Sequence, residues 1–470
     1  MAARSLRDEL LERAHELVRR WEEGFGPFAA HPADAVDRER LERAWQVFSG
    51  RMAGNFPFFH PRFAGQMLKP PHPVAAAGYL AAMLVNPNNH ALDGGPVTSE
   101  MEKEVIATLG RMFHLPEVLG HLTSSGTLAN LEALFVAREL APDKQVVYGS
   151  NAHYTHERMC RLLRLEAIEV GVDTAGRLDL EAVDRLCAGG RVGTVVLTAG
   201  STGRGRVDEI HEALRLKERY GVRLHVDAAY GGFFSVLAWD EQTAGLVPAD
   251  SLKAISQCDS VVVDPHKHGL QPYGCGAVLF SDPGVGALYH HDSPYTYFTS
   301  EALHLGEISL ECSRAGAAAA GLWLTLETVP LEATEGFGPI LSAGRRAALR
   351  LAGLLERDDG FALLEEPELD IVTYLPYEEG LSRAEAGSWS QRMLRSAMGA
   401  PDPVWLSTLQ LEAEEAAGLA GFVVGDGGLR VLRSVLMKPA HELYLEELLA
   451  RLVEIREETR PTGGGPPPAP

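Results

Sequence analysis

The chain has 470 residues, 46% hydrophobic and 23% charged, an ordinary globular composition with length enough for a large core and two or three domains. Lys and Arg number 43 against 64 Asp and Glu, and the net charge of -21 argues against nucleic acid or an anionic membrane surface as a partner. Five cysteines, an odd number without a C-x-x-C pair, fit a reducing cytoplasm and offer neither a disulfide framework nor a cysteine-built zinc site.

Met1 to Arg20 is charged and helix-like, without the apolar core of a signal peptide. Leu6, Leu10, Leu11, Ala14, Leu17 and Val18 recur at three and four, so residues 5–24 form a helix whose stripe needs cover from another subunit or from its own domain. The longest apolar runs, Val74 to Val85 and Ala315 to Leu326, are too short for a bilayer and read as buried helices. From about 100 to 282, helices (Glu100 to Phe113, Thr127 to Leu140, Val207 to Tyr220) alternate with short apolar strands (Val146 to Gly149, Thr194 to Thr198, and runs ending at Asp227 and Asp264). Such alternation implies an α/β fold, a mostly parallel sheet covered by helices, with functional residues at the carboxyl ends of its strands. Beyond about 336 a helix (Leu341 to Leu355), strand-like runs (Leu369 to Leu375, Val404 to Leu411) and a last helix (Leu443 to Glu458) describe a smaller α+β unit. The expected organisation is a helical arm over 1–60, a large α/β domain over 61–335, a small C-terminal domain over 336–460 and a disordered Gly/Pro tail over 461–470.

Chemistry concentrates at four strand ends. Lys267 stands in Asp264-Pro265-His266-Lys267-His268-Gly269 after the run Ser260 to Val263, and Asp227 stands in His225-Val226-Asp227-Ala228-Ala229-Tyr230. A surface lysine and a strand-end cap explain either residue alone. Together they suit pyridoxal 5'-phosphate (PLP), which takes a lysine for its Schiff base and an acid for its pyridine nitrogen. Ser124-Ser125-Gly126-Thr127 opens a helix, where free N–H groups and the dipole favour a phosphate, although a plain N-cap has the same composition. Gly200 to Gly205 has neither dinucleotide nor Walker spacing and reads as a turn bringing Ser201 and Thr202 to the strand ends. His153 follows a strand, where a flat imidazole can stack on a ring; zinc at His153 and His156 lacks a third ligand, and no metal is expected.

Taken together, Ser-Ser-Gly-Thr at 124–127, His153, Asp227-Ala228-Ala229-Tyr230 and Asp264-Pro265-His266-Lys267 resemble the group II PLP-dependent amino-acid decarboxylases. Asn86-Pro87-Asn88-Asn89, Thr98 to Glu102 and Leu310 to Ala317 look most like the bacterial tyrosine branch. The resemblance implies PLP-dependent fold type I, aspartate-aminotransferase-like. It implies that Lys267 carries the Schiff base and Asp227 pairs with the pyridinium. His153 and Ala229 would flank the ring, and Ser125, Gly126, Thr127 and His266 would hold the phosphate. Ser201 and Thr202 would lie near the ring hydroxyl. It further implies a homodimer with composite sites, in which Asn88 and His90 reach the partner's substrate pocket. Two departures stand out: Asp264 replaces the asparagine of many members, so it should point away from the phosphate or be offset by backbone donors, and the chain lacks the insertions of the bacterial tyrosine enzymes.

By the same resemblance the reaction is decarboxylation of an L-amino acid to an amine and carbon dioxide, with a loop tyrosine as the reprotonating acid. Tyr295 and Tyr297 lie where that loop would fall, and Tyr297 is preferred. An aromatic, tyrosine-like substrate comes first and an acidic one, aspartate or glutamate, second, with Arg314 or Arg62 as the available clamp for a second carboxylate. The alternatives are a carbon–carbon lyase of the sphingosine-phosphate type, a decarboxylation-dependent aldehyde-forming enzyme, and a silent PLP-binding scaffold.

Overall fold

The computed structural model describes residues 5–289, 303–417, 425 and 427–461. Two helices, α1 (Leu6–Glu23) and α2 (Arg38–Met52), precede α3 (Pro73–Val85) and α4 (Pro96–Met112). A seven-stranded sheet follows: β1 (Leu119–Thr123), β2 (Gln145–Gly149), β3 (Ala167–Val170), β4 (Val192–Thr198), β5 (Arg223–Asp227), β6 (Ser260–Val263) and β7 (Gly276–Phe280). Its spatial order is β1-β7-β6-β5-β4-β2-β3, and β7 alone runs against the others. The helices α5 (Gly126–Leu140), α6 (Thr155–Leu163), α7 (Leu180–Ala188) and α8 (Ile210–Tyr220) are its crossovers. Strands such as Val192-Gly-Thr-Val-Val-Leu-Thr carry apolar residues on both faces because both faces are buried under helices.

The parallel directions put the carboxyl ends of β1, β2, β4, β5 and β6 on one edge, followed by Ser124–Thr127, His153, Ser201, Asp227 and Lys267. Residues 316–328 and 337–356 form helices leading to a second sheet, β8 (Phe361–Leu363), β9 (Ile371–Pro376), β10 (Ser407–Leu411) and β11 (Leu429–Val435), antiparallel in the order β10-β11-β9-β8. Helices at 383–399 and 445–458 pack with this sheet around Tyr374, Trp389 and Met393.

Several boundaries differ from expectation. The helix expected from Val207 starts at Ile210, because Asp208 turns inward and its carboxylate accepts from Leu178 N (2.8 Å) and Thr198 N (2.7 Å). The strand expected from Val404 starts at Ser407; Trp405 instead forms a single bridge to Phe63. Strand β7 starts at Gly276, directly after the lysine loop. Helix α1 packs on α3 of its own chain, burying Ala14 and Val18, yet Leu6, Leu17 and Trp21 stay exposed, and α2 buries none of its residues.

Candidate active site

Asp227 ends β5 in register with Val262 of β6 and Thr198 of β4. Its Oδ2 accepts from His156 Nε2 at 2.9 Å and from Asn130 Nδ2 at 3.1 Å, while Oδ1 accepts from the Ala229 amide at 3.1 Å. Behind Asn130, His225 Nε2 donates to Asn130 Oδ1 (2.8 Å) and Ser260 Oγ sits 2.9 Å from His225 Nδ1. Burial alone would raise the Asp227 pKa. The hydrogen bond and charge of His156, with the Lys267 ammonium, reverse this and hold the carboxyl well below the usual range, so it is an anion. Burial also pushes His225 down to about 3, so that imidazole is neutral.

Lys267 follows β6 in a tight turn, its amide bonded to Asp264 O at 2.9 Å. Its Nζ lies 3.1 Å from Asp264 Oδ2, and His266 Nε2 is 3.5 Å from the same oxygen. His266 Nδ1 donates to Cys275 O at 2.8 Å, which leaves Nε2 facing inward. His153 is half-buried between α6 and the strand ends, with Nδ1 2.9 Å from Thr155 Oγ1, and burial lowers its pKa. The charges of Asp227, Lys267 and Asp264 all act on that ring, which packs with its centroid 4.2 Å from that of Tyr154.

The first turn of α5 tests whether a phosphate fits. Ser125 caps it, Oγ accepting from Leu128 N at 3.4 Å and its carbonyl from Ala129 N at 3.0 Å. The amides of Gly126 and Thr127, at the positive end of the helix, are left for an anion. A Cβ on Gly126 would sit 2.7 Å from Asp264 Oδ2, and one on Gly276 would sit 2.6 Å from the Ser125 carbonyl carbon, so only glycines let the lysine loop and β7 close on this helix end. Thr127 Oγ1 is 3.3 Å from Thr155 Oγ1. The cradle, the amine and the buried anion fit PLP. Asp264 does not behave as expected: its carboxylate faces Gly126, Oδ1 makes no hydrogen bond, and its offset comes from the Lys267 ammonium instead of backbone donors.

Other expected residues are placed less directly. Ser201 is buried in its own turn, its Oγ accepting from Arg206 N at 3.1 Å, while Thr202 is exposed and its carbonyl accepts from Arg433 Nη2 of β11 at 2.6 Å. Ala229 is buried beside Asp227. The Asn88 side chain bonds within its own chain, to His90 N (3.1 Å), Arg314 N (3.0 Å) and Ser313 Oγ (3.2 Å), and the His90 carbonyl accepts from Gly306 N at 2.9 Å. Tyr295 and Tyr297 lie outside the described residues. Sequence reasoning missed Asn130 and gave His156 only a metal role; a histidine three residues after His153, in the first turn of α6, was the one local sign of it.

The family "Pyridoxal-dependent decarboxylase conserved domain" matches residues 58–375. A Methanothermobacter thermautotrophicus protein named a probable L-tyrosine/L-aspartate decarboxylase is 31% identical over 321 residues, 67% of this chain and 82% of its own. The L-tyrosine decarboxylase of Enterococcus faecium is 28% identical over 424 residues, 69% of each chain. The crystal structure of Oryza sativa TDC with PLP and tryptamine superposes with a TM-score of 0.76 at 17% identity, over 98% of this chain and 100% of that one.

Proposed function

The chain belongs to the pyridoxal-dependent decarboxylases and is a PLP-dependent amino-acid decarboxylase of fold type I; from that premise we propose that its substrate is an aromatic L-amino acid, tyrosine first. The observation that carries the assignment of roles is the ionised, buried Asp227 one strand away from Lys267. When bound, PLP supplies an electron sink for the pair left behind as carbon dioxide departs. Lys267 would hold the cofactor through its side-chain amine. Asp227, fixed by His156 and Asn130, keeps a proton on the ring nitrogen; such a charge-assisted bond contributes about 1.5–3 kcal/mol. His153 and Ala229 would flank the ring. Gly126 and Thr127 amides, with Ser125 and His266, would take the phosphate, and Ser201 and Thr202 would stand at the ring's hydroxyl side. Tyr297 is the proposed acid at the α-carbon, and Asn88 and His90 the residues lent to a partner's pocket.

The tyrosine preference rests on the two arginines able to clamp a second carboxylate. Arg314 Nη1 donates to Glu102 Oε1 (2.8 Å) and Leu122 O (2.5 Å), and it is buried. Arg62 pairs with Asp402 and donates to Tyr444 Oη at 3.2 Å. Arg62 is committed to its own fold, whereas Arg314 is anchored through Nη1 alone and its buried Nε and Nη2 make no hydrogen bond, which keeps an acidic substrate as the second reading. The relative named for tyrosine and aspartate keeps aspartate as the competitor. Carbon dioxide release from L-tyrosine and L-aspartate separates them: the expected kcat/KM favours tyrosine by at least about tenfold, and a preference for aspartate overturns the substrate assignment.

A homodimer is proposed from the apolar side chains left exposed over α1, α2 and the segments between and after them, Trp21, Phe28, Trp45, Phe48 and Phe59 among them. A cytoplasmic setting is proposed from five unpaired cysteines, four of them buried.

A further inference from the structure

Asp370, just before β9 in the small domain, is fully buried, and nothing in the reaction above uses it. Its Oδ1 accepts from Tyr230 Oη at 2.5 Å, and Oδ2 lies 3.2 Å from His268 Nε2. Tyr230 stands three residues past Asp227, and His268 adjoins Lys267. One carboxylate from the second sheet therefore touches both loops that carry the central cofactor residues. Its own carbonyl is fixed by Leu436 N at 2.8 Å. The His268 ring is wedged between Tyr230 and Phe234, with centroids 4.8 and 4.9 Å away.

A third segment closes the group. His72 N donates to Leu270 O at 2.9 Å and Tyr273 Oη to Met67 O at 3.3 Å, which lays residues 67–72 along the lysine loop. From it comes Lys69, whose buried Nζ makes no hydrogen bond. Burial would raise the Asp370 carboxyl; His268, the Tyr230 hydroxyl and the Lys69 ammonium together hold it below its ordinary value. Burying a carboxylate, an imidazole and an unbonded amine is a poor route to stability, since apolar residues of equal volume do as well or better. What such a cluster supplies is fixed geometry.

We propose that Asp370 is a positioning residue, which acts through Tyr230 and His268 to hold the Asp227 loop and the Lys267 loop in one mutual arrangement, so that the seating of the small domain sets the geometry of the cofactor site. This rests on the PLP reading above. The test uses three variants of the full chain: Asp370→Asn, which keeps volume and an acceptor but removes the charge, Tyr230→Phe, and the two combined. Readouts are PLP affinity of the apoenzyme by fluorescence quenching, the thermal midpoint, and kcat and KM separately. Asp370→Asn is expected to weaken PLP binding and lower kcat by about 10–100-fold, the scale of a small misplacement of reacting groups, with KM near wild type. The double variant is expected to be no worse than Asp370→Asn, because both changes break one unit. Wild-type PLP affinity and kcat in folded Asp370→Asn, or losses that simply add, overturn the proposal. If Asp370→Asn does not fold, Tyr230→Phe and His268→Gln carry the test, and unchanged PLP affinity in both overturns it. A wild-type protein that binds no PLP defeats the cofactor reading itself, which distinguishes that failure from this one.

Discussion

Burial alone would push the carboxyl of Asp227 up, and the hydrogen bond from His156 Nε2 at 2.9 Å reverses that shift. The residue that controls the site's charge is thus one that sequence reasoning weighed only as a zinc ligand. The reason is physical: the two are 71 residues apart, and a pairing across the sheet leaves no local pattern. Lys267 and Asp227 were legible because each is a chemically distinctive side chain at the end of an apolar run. Asp264 was legible as an oddity but not in its placement, since its orientation toward Gly126 depends on how the lysine loop closes on α5. Replacing His156 by Leu removes the hydrogen bond to Asp227 Oδ2. Asp227 then needs a higher pH to ionise, so the acid limb of the kcat/KM profile moves to higher pH and kcat at neutral pH falls, by about 10²-fold if Asp227 is largely protonated there. A profile superimposable on wild type would refute the role given to His156.

Helices announce themselves by period, and α1, α3, α4, α5 and α8 lie within a few residues of the expected ranges. Strands fared unevenly. β4 and β6 are apolar on both faces and β5 alternates Leu224 and Val226 with Arg223, His225 and Asp227, whereas β1 contains Gly120 and a buried His121, whose Nδ1 lies 2.9 Å from Leu122 O and whose Nε2 lies 3.1 Å from Glu132. No window of sequence around β1 reports that partner. The junction of β1 and α5 is also where the phosphate cradle stands, and Gly126 is where the lysine loop closes on it. Gly126→Ala places a methyl group 2.7 Å from the Asp264 carboxylate, against atoms tied to Lys267 and His266. Weaker PLP binding, by about tenfold (1.4 kcal/mol) or more, is expected from equilibrium dialysis, with the far-ultraviolet circular dichroism unchanged. Undiminished affinity would move the phosphate away from α5.

Across the whole molecule, the second sheet and the segment at 60–72 bring buried cations together at the junction with the large sheet. Lys438, donating to Phe63 O at 2.6 Å, is held down to about 7 by burial and by Lys69, and Lys69 to about 8 by burial against the pull of Asp370. In the unfolded chain both lie near 10.5, so between about pH 7 and 10.5 the unfolded state binds more protons. Their contribution to stability is full above 10.5 and is lost as pH falls through the folded values. Asp208, raised to about 6 by burial, acts oppositely but is spent by neutral pH. The buried thiols of Cys160, Cys187, Cys258 and Cys275, pushed up by burial, also act oppositely, but only as pH approaches 9 and above. The urea midpoint is therefore expected to rise from pH 7 to about 8.5, on the order of 1 kcal/mol per pH unit for each titrating lysine, and Lys438→Met should flatten the rise. A midpoint that is constant in both proteins contradicts the burial of these charges. None of this was visible in composition, which reports -21 for the chain and nothing about where the cations go.

The most direct test of the account is the visible absorbance of the purified protein with PLP, wild type beside Lys267→Ala, followed by carbon dioxide release on adding L-tyrosine. The account predicts a yellow wild type that loses colour with borohydride and yields one carbon dioxide per tyrosine consumed, and a Lys267→Ala protein with neither property. A wild type that takes up no PLP, or a Lys267→Ala variant that decarboxylates tyrosine at the wild-type rate, would contradict it.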